Sequence, residues 1–462
     1  MLYISKTVFI TYATHAQNMS YFNKVMEKVP IAQMRKLQNE LLQQQVSNVY
    51  RNIPFYKNLF DEHNLSPADI KSVDDLYKIP FTKKTALRDN YPFGLFARPM
   101  SEVARLHCSS GTTGKPIVVG YTLNDLGVFS ETIARSLAAA GCRPGMLMQN
   151  AYGYGLFTGG LGLHYGAEKL GMTVLPISGG GTDRQLMLMK DFQTDAICCT
   201  PSYALTLAEE FQKRGISRKE LKLKYAILGA EPWTESIRAE VEEKMGVIAT
   251  NIYGFSEVQG PGISQEDFEE KGTGSYIWED HFFPEVVDKD TGMPLPYGQP
   301  GVLVFTSLTK EASPLLRYWT NDIASIYYDK SAKRTHIKMS PIIGRADDML
   351  IIRGVNLFHT QVEAELEHIG ELSANYQLIV GHNGTMDTVQ VRVEVNETLY
   401  NEIAKDQNEA LKHDRITMAS KMLQQKIKDN IGLSMTIDIA APGAIPRSDG
   451  GKINRIKDER NK

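Results

Sequence analysis

The segment HCSSGTTGKPIVVGYT, His107–Thr122, combines a polar loop with an apolar run. Seven of its residues, Ser109–Lys115, are only Ser, Thr, Gly and Lys, and the β-branched run Ile117–Val119 follows after Pro116. Such a run predicts a buried strand, and the next stretch, Asp125–Ala140, has the apolar spacing of a helix. The segment therefore predicts a polar loop that leads into a strand and then into a helix.

The same alternation of strand and helix continues along the chain. The apolar runs Val174–Ile177 and Ile197–Cys199 alternate with helical stretches at Asp183–Phe192 and Ala204–Arg214. Strands that alternate with helices are typical of a layered α/β fold with mainly parallel pairing. We therefore predict a large N-terminal α/β domain.

The segments that precede and follow this region in the sequence have different patterns. Residues 20–60 have helical spacing, and we expect that helix to end at Pro54. Residues 280–330 contain alternating short strands and tight Pro/Gly turns, which predict an antiparallel β region that closes the large domain. The sequence thus predicts one large domain over residues 19–345. Residues 1–18 are interpreted as a dispensable leader, because Met19 offers an alternative start.

The last part of the chain predicts a second, smaller domain. Tyr376–Val380 and Val389–Glu394 have the composition of strands, and Ala419–Ile431 has the spacing of a helix. We expect residues 346–462 to form a small, mobile C-terminal α+β domain, which is within the usual size range of domains.

Composition excludes several classes of function. The net charge of −3 over 462 residues gives no electrostatic case for nucleic acid or an anionic membrane as a partner. The four cysteines form no C-x-x-C pair, which favours a reducing cytosol. No apolar segment approaches the roughly 20 residues that span a bilayer. We therefore expect a cytoplasmic protein with small-molecule partners.

The polar loop has the chemistry of a phosphate site. Hydroxyl groups, flexible Gly backbone and a Lys suit the wrapping of a polyphosphate. The loop is not a Walker A motif, because Gly111 and Gly114 are too close together and Pro116 follows Lys115. The alternative is a solvated hairpin turn, which would not need so many hydroxyls. We interpret the loop as a nucleotide phosphate site outside the P-loop class.

Four later motifs are ambiguous when each is taken alone. In NIYGFSEV, Tyr253 offers a flat face for a heterocycle and Glu257 offers a carboxylate for Mg²⁺, although Tyr-Gly at a strand end is often packing. Asp322 could accept hydrogen bonds from ribose hydroxyls or cap a turn. Arg345 in GRADD fits a ribose or phosphate contact, or a charged surface turn. Lys452 in DGGKINR would ordinarily be solvated.

The order of these motifs resembles that of the adenylate-forming acyl-CoA ligases. The motifs SSGTTGKP, YGFSE, GRADD and GKINR occur in this chain in the same order as in that family. Longer segments, NAYGYGLFTGGLGLHYGAEKLG, CCTPSYALTLAE, GAEPWTE, IWEDHF and DDMLIIRGVN, are similar to the phenylacetate–CoA ligases. The resemblance extends from Tyr21 to Asp458.

The resemblance implies a reaction in two half-steps that uses ATP, Mg²⁺ and coenzyme A. A carboxylate attacks the α-phosphorus of ATP, which gives an acyl-adenylate and pyrophosphate. The thiol of coenzyme A then displaces AMP. The acid implied is a monocarboxylic aryl acid, with phenylacetate as the first expectation.

The resemblance also implies roles for particular residues. On the nucleotide it implies a set of loop, strand-end and turn residues, namely Ser109, Ser110, Gly111, Thr112, Thr113, Gly114 and Lys115 on the β- and γ-phosphates; Ala230, Glu231, Pro232, Asn251 and Tyr253 around the adenine; Asp322 and Arg345 on the ribose; and Gly254 and Ser256 as further nucleotide-binding residues. Glu257 would hold Mg²⁺ and Lys452 would stabilise the adenylation transition state. These two are the implied catalytic residues.

Further implied roles concern the acyl group and the domain movement. Tyr152, Tyr154 and Phe157, together with Ala230, would flank the aryl group, and the alternative is that YGYGLF is core packing. A swing of the small domain about Asp347 and Asp348 would remove Lys452 and bring Gly354 to the path of the thiol. Asp347 and Asp348 are thus the implied hinge residues, and Gly354 is implied to line the path of the thiol.

Two competing functions stay open, and two further expectations follow. The acceptor could be the thiol of a carrier protein, or the chain could be a nucleotide-binding regulator without catalysis. Relatives are often homodimers, which makes a homodimer an expectation here. Some relatives have a cysteine cluster for zinc around residues 265–272 and 329–334, where this chain has no Cys. We therefore expect no Cys-ligated structural zinc.

Overall fold

A computed structural model of the chain describes residues 20–109, 116–346, 350–352, 355–383, 386–403, 410–447 and 455–459. Its backbone contacts divide the chain into two compact units. The first unit comprises Met1–Thr200, Ile216–Ala230 and Gly246–Pro341, and the second comprises Pro201–Gly215, Glu231–Met245 and Ile342–Lys462. No helix of the described residues is both long enough and apolar enough to cross a bilayer.

The described residues of the first unit form seven α-helices. They are α1 (Lys24–Glu27), α2 (Ile31–Asn52), α3 (Pro54–Glu62), α4 (Lys84–Asp89), α5 (Leu123–Ala139), α6 (Thr158–Leu170) and α7 (Thr182–Phe192). The prediction of one helix over residues 20–60 is wrong, because α1, α2 and α3 are separate. Pro54 begins α3 rather than only ending α2, since a proline fits the first turn, where its missing N–H is not needed.

The strands of the first unit form three sheets. In chain order they are β1 (Arg105–Ser109), β2 (Ile117–Tyr121), β3 (Leu147–Asn150), β4 (Thr173–Leu175), β5 (Ala196–Cys199), β6 (Tyr225–Gly229), β7 (Ile248–Phe255), β8 (Gly260–Glu266), β9 (Ser275–Ile277), β10 (Phe282–Val287), β11 (Gly301–Ser307), β12 (Tyr318–Ala324), β13 (Ile326–Tyr327) and β14 (Lys338–Met339). β1 pairs with β2, and β10, β11 and β12 pair antiparallel, as predicted for residues 280–330.

The main sheet has nine strands in the order β13-β14-β9-β8-β7-β6-β5-β3-β4. β4, β3, β5, β6 and β7 are parallel, which confirms the predicted α/β fold. The carboxyl ends of parallel strands lie at one edge of a sheet, and ligands commonly bind there. Tyr152, Ala230 and Ser256 follow β3, β6 and β7, so the chain brings all three to that edge.

The second unit is an α+β arrangement. Its helices are α8 (Pro201–Lys213), α9 (Glu235–Met245), α10 (His359–Leu366), α11 (Glu397–Ile403) and α12 (Asp414–Ile431), and its strands are β15 (Gly344–Arg345), β16 (Leu350–Ile352), β17 (Val355–Leu357), β18 (Leu372–Asn383), β19 (Met386–Val395), β20 (Thr436–Ala440) and β21 (Ile456–Asp458). Four strands form a sheet in the order β20-β19-β18-β21. Leu378, Val391 and Leu423 are fully buried in the core that this sheet shares with α12.

Candidate active site

The strands on either side of the polar loop form a hairpin. Ser109 of β1 pairs with Ile117 of β2, and the loop residues Ser110–Lys115 lie outside the described residues. The hydroxyl Oγ of Ser109 is buried and has no hydrogen-bond partner among the described residues. A buried polar atom without a partner is costly, and it is commonly explained by an absent ligand or water. Ser109 therefore fits a site that binds phosphate oxygens.

Tyr253 and Asp322 come together across 69 positions of sequence. The hydroxyl of Tyr253 on β7 donates a hydrogen bond of 2.6 Å to Oδ2 of Asp322 on β12. The backbone N–H of Asp322 donates to Oγ1 of Thr320 at 2.9 Å. Phe255 and Phe305 support the Tyr253 ring, with centroids 5.9 and 6.3 Å away. The carboxylate is thus oriented beside an aromatic face, which suits a ribose next to a base.

Glu257 is a nearly buried carboxylate that pairs with a lysine. Its side chain is 7% exposed, and its Oε1 lies 3.4 Å from Nζ of Lys84, at the start of α4. Sequence reasoning missed Lys84, which begins a short helix in FTKKTALRD and matches no phosphate motif. Its pairing with Glu257 shows that this carboxylate faces a cation in the folded chain. Glu257 therefore fits the role of a Mg²⁺ ligand.

Ser256 and Ala230 occupy the turns after two neighbouring parallel strands. The hydroxyl of Ser256 lies 3.2 Å from Oγ1 of Thr158, which begins α6. Ala230 has a positive φ of +71°, which is uncommon for a residue with a side chain. Such a conformation is typical of sites where function fixes the backbone. Both positions are consistent with the nucleotide roles that the sequence predicts.

The remaining residues that are predicted to bind the nucleotide lie in several different elements. Asn251 and Gly254 belong to β7, and the backbone N–H of Asn251 donates to Oε2 of Glu266 at 3.0 Å. In the second unit, Oε2 of Glu231 accepts from the backbone N–H of Ser202 in the first turn of α8, at 3.2 Å. Pro232 follows Glu231 before α9 begins. Arg345 ends the short strand β15.

The three aromatic residues predicted for the acyl group differ in environment. The hydroxyl of Tyr152 donates to the carbonyl of Cys199 at 2.6 Å, and its ring is buried. Burial raises the pKa of Tyr154 to about 12, and the phenol keeps its proton at neutral pH. Phe157 precedes α6 and is 51% exposed. The proposed contacts of all three residues with the acyl group stay predictions.

Ion pairs occupy residues 265–272 and 329–334, the two stretches considered above for a Cys-ligated zinc. The buried guanidinium of Arg334 contacts the carboxylates of Glu27, at 2.7 Å, and Asp267. Nζ of Lys338 lies 3.2 Å from Glu270 and 3.1 Å from Asp329. Among the described residues, no three His, Cys, Asp or Glu side chains form a group that could hold a metal. Charge pairs connect these loops in this chain.

Five predictions concern residues outside the described ranges. Besides the loop Ser110–Lys115, they are the catalytic Lys452, the hinge residues Asp347 and Asp348, and Gly354 on the thiol path. Their roles stay predictions.

Family models match the chain over most of its length. The model of the AMP-binding enzyme matches residues 7–309, and the model of the AMP-binding enzyme C-terminal domain matches residues 354–460. With the parallel sheet and the pair Tyr253–Asp322, these matches define the class as that of AMP-binding, adenylate-forming enzymes.

Curated relatives narrow the class. The chain is 58% identical to a phenylacetate-coenzyme A ligase of Thermus thermophilus, over 94% of this chain and 98% of that protein. It is 49% identical to the phenylacetate-coenzyme A ligase of Aromatoleum evansii, over 95% and 97% respectively. The chain belongs to the phenylacetate–coenzyme A ligase family. The predicted class of enzyme, an AMP-forming acid–thiol ligase, is thereby confirmed.

A solved structure agrees with this result. The crystal structure of 2-hydroxyisobutyryl-CoA ligase in the postadenylation state has a TM-score of 0.87 with this chain at 27% identity, over 96% of this chain and 93% of that one. That structure contains an acyl-adenylate. Its fold is similar to the fold of this chain over both regions that the family models match.

Proposed function

We propose that this chain activates phenylacetate with ATP and transfers the phenylacetyl group to coenzyme A, releasing AMP and pyrophosphate. The observation that carries the proposal is the hydrogen bond from Tyr253 to Asp322 at the carboxyl edge of the parallel sheet. A fixed carboxylate beside an aromatic face supports the binding of a nucleoside by these two residues. The similarity to curated phenylacetate-coenzyme A ligases supports the choice of acid.

In the first half-reaction, an oxygen of the acid attacks the α-phosphorus and the bond to the bridging oxygen breaks. Pyrophosphate leaves with that oxygen, and the acyl-adenylate stays in the site. Two anions meet in this step, so catalysis is mainly positioning and charge stabilisation. Asp322 would hold the ribose hydroxyls, Ser109 would bind phosphate oxygens, and Lys452 would stabilise the charge that develops.

Magnesium supplies charge neutralisation on the phosphates when it is bound. Glu257 is the residue of this chain that would hold it, because its carboxylate is nearly buried and pairs with Lys84. In the second half-reaction the thiolate sulfur attacks the acyl carbon. The bond from that carbon to the oxygen on phosphorus breaks, and AMP leaves with this oxygen.

The experiment that tests the proposal measures pyrophosphate release over a panel of aryl and alkyl acids. Each acid is assayed with coenzyme A and with a holo-carrier protein at matched concentration. We expect phenylacetate to give the highest rate and the thioester to form only with coenzyme A. Thioester formation on the carrier alone would favour the competing function. Absence of acid-dependent release across the whole panel would contradict catalysis altogether.

We also propose a cytoplasmic location and a homodimer. Cys142, Cys198 and Cys199 are buried free thiols, which supports a reducing compartment. Light scattering on the purified protein tests the dimer.

A further inference from the structure

A groove of about 310 Å³ lies between α5 and α6 in the first unit. Leu126 and Phe129 of α5 and Leu161 of α6 give it apolar walls. The hydroxyl of Ser130, which also lines it, already donates to the carbonyl of Leu126 at 2.7 Å. None of the described residues that the sequence predicts to bind the nucleotide, the acid or coenzyme A lines this groove. The groove is therefore a cavity that the proposed function does not use.

Arg105 of β1 brings a positive charge to the groove. Among the described residues that line the groove, it is the charged one. Its guanidinium carbon lies 4.7 Å from the centroid of the Tyr165 ring, and no carboxylate of the described part of the chain pairs with it. Stacking on an aromatic face holds a guanidinium in place and leaves its N–H donors free for a planar anion. A fixed cation beside apolar walls suits an anion with an apolar body.

Two glycines determine the shape of the groove. A Cβ at Gly162 on α6 would collide with the ring of Phe129, so glycine allows the two helices to approach as closely as they do. A Cβ at Gly127, which lines the groove on α5, meets no heavy atom within 4 Å. Glycine inside a helix is unfavourable relative to alanine. At Gly127 no packing contact offsets this cost, which supports a space that is kept open for a ligand.

The size and the charge of the groove limit the class of ligand. Ligand pockets commonly begin at about 300 Å³, and a cavity of about 150 Å³ already holds benzene. A groove of about 310 Å³ therefore has room for one substituted ring. A single guanidinium matches a single carboxylate, which it can bind through two parallel N–H···O bonds. The described lining residues offer no second cation for a polyphosphate, so the groove suits an aromatic monocarboxylate better than a nucleotide.

We propose that the groove between α5 and α6 binds a free aromatic monocarboxylate, with its carboxylate on Arg105 and its ring between the apolar walls. The inference goes beyond the proposed function, because the groove holds the acid and takes no part in its activation. The protein would then bind two molecules of acid, one in this groove and one in the candidate active site.

The test follows 4-fluorophenylacetate by ¹⁹F NMR while the candidate active site is saturated with a sulfamoyl analogue of phenylacetyl-adenylate. Acid that still binds then lies outside that site. We expect saturable binding to the wild type. Binding of 4-fluorophenylacetamide, which has the same ring without the charge, should be weaker by about tenfold or more. If the analogue itself does not bind, the proposed function is in error, and the groove is tested on the same variants without it.

Substitutions on opposite sides of the groove test the charge and the space separately. Arg105→Gln should weaken the binding of the acid by about tenfold, the effect of losing a charge-assisted hydrogen bond, and Arg105→Lys should restore part of it. Gly127→Leu fills the groove and should abolish the binding while it keeps or raises the unfolding midpoint. It tests the groove even if substitution of Arg105 disturbs the β1–β2 hairpin. Gly370→Leu in the second unit is the matched control, because a Cβ there also meets no heavy atom within 4 Å.

Absence of saturable binding to the wild type would overturn the inference, as would equal binding of the amide. Binding that survives Gly127→Leu unchanged would place the acid elsewhere. Binding of octanoate in preference to 4-fluorophenylacetate would contradict the aromatic class of ligand. Failure of the proposed function is a separate result, because it would be seen as no turnover of phenylacetate by the wild type.

Discussion

The hydroxyl of Tyr253 donates a 2.6 Å hydrogen bond to Oδ2 of Asp322, and this bond joins the last strand of the parallel run to the antiparallel sheet β10–β12. A hydrogen bond to a carboxylate is worth more than one between neutral groups, about 1.5–3 kcal/mol. The pair therefore orients the group that is proposed to bind the ribose.

Tyr253→Phe should lower kcat/KM for ATP by about tenfold or more, because it removes one charge-assisted hydrogen bond and leaves Asp322 less oriented. Initial rates of pyrophosphate release at varied ATP check this expectation. Tyr50→Phe is the matched control, since its hydroxyl donates to Asp61 at 3.0 Å on the exposed surface. An equal effect of the two substitutions on ATP would contradict the role of the pair.

Glu257→Gln should raise the magnesium concentration for half-maximal pyrophosphate release by about ten- to a hundredfold, the usual cost of weakening a metal site. The amide keeps the shape of the side chain but loses the charge. A magnesium titration at saturating ATP makes the measurement. Glu40→Gln, on the exposed side of α2, is the control. A magnesium requirement that Glu257→Gln leaves unchanged would remove this residue from the metal site.

The acidity of Glu363 predicts how stability changes with pH. Burial raises the pKa of this carboxyl from 4.5 to about 7, although it accepts a 3.1 Å hydrogen bond from Tyr376 and Arg455 opposes the shift. Between these two pH values the folded chain holds a proton that the unfolded chain has lost, so stability falls as pH rises. Complete ionisation costs about 3 kcal/mol.

Glu363→Gln cannot ionise and should therefore lose less stability than the wild type between pH 5 and pH 8, a range that covers most of that window and ends about one unit above it. The difference between the two unfolding midpoints, measured by differential scanning fluorimetry at each pH, isolates this group from all others. A constant difference across the range would show that Glu363 does not titrate there.

Lys452→Ala should lower the rate of pyrophosphate release by about a hundred- to a thousandfold, which is the usual effect of removing one charge-stabilising group. The same variant should still form thioester from supplied phenylacetyl-adenylate, because the second half-reaction does not need this lysine. Lys457→Ala, five residues further on in β21, is the control. Equal loss of both half-reactions would contradict the assignment.

The sequence predicts the strands and helices well where packing is local. The β-branched runs become β2 and β5, and the helix at Asp183–Phe192 begins within one residue of α7. The sequence predicts that a helix ends at Pro54 but not that another begins there, because a proline that ends one helix can also begin the next.

The site is harder to predict, because its contacts join distant parts of the chain. The sequence alone does not decide the role of Tyr253 or of Asp322. Their side chains meet only because the fold brings two separate sheets together. Lys84 lies 173 positions before Glu257 and has no motif around it.

The most direct test of the proposed function follows the phosphorus of ATP during one reaction with phenylacetate and coenzyme A. ³¹P NMR with parallel mass spectrometry measures AMP, pyrophosphate and phenylacetyl-CoA over time. We predict equal amounts of the three, all dependent on the acid. Formation of ADP and phosphate, or AMP and pyrophosphate without the thioester, would contradict the proposal that this chain is an AMP-forming phenylacetate–coenzyme A ligase.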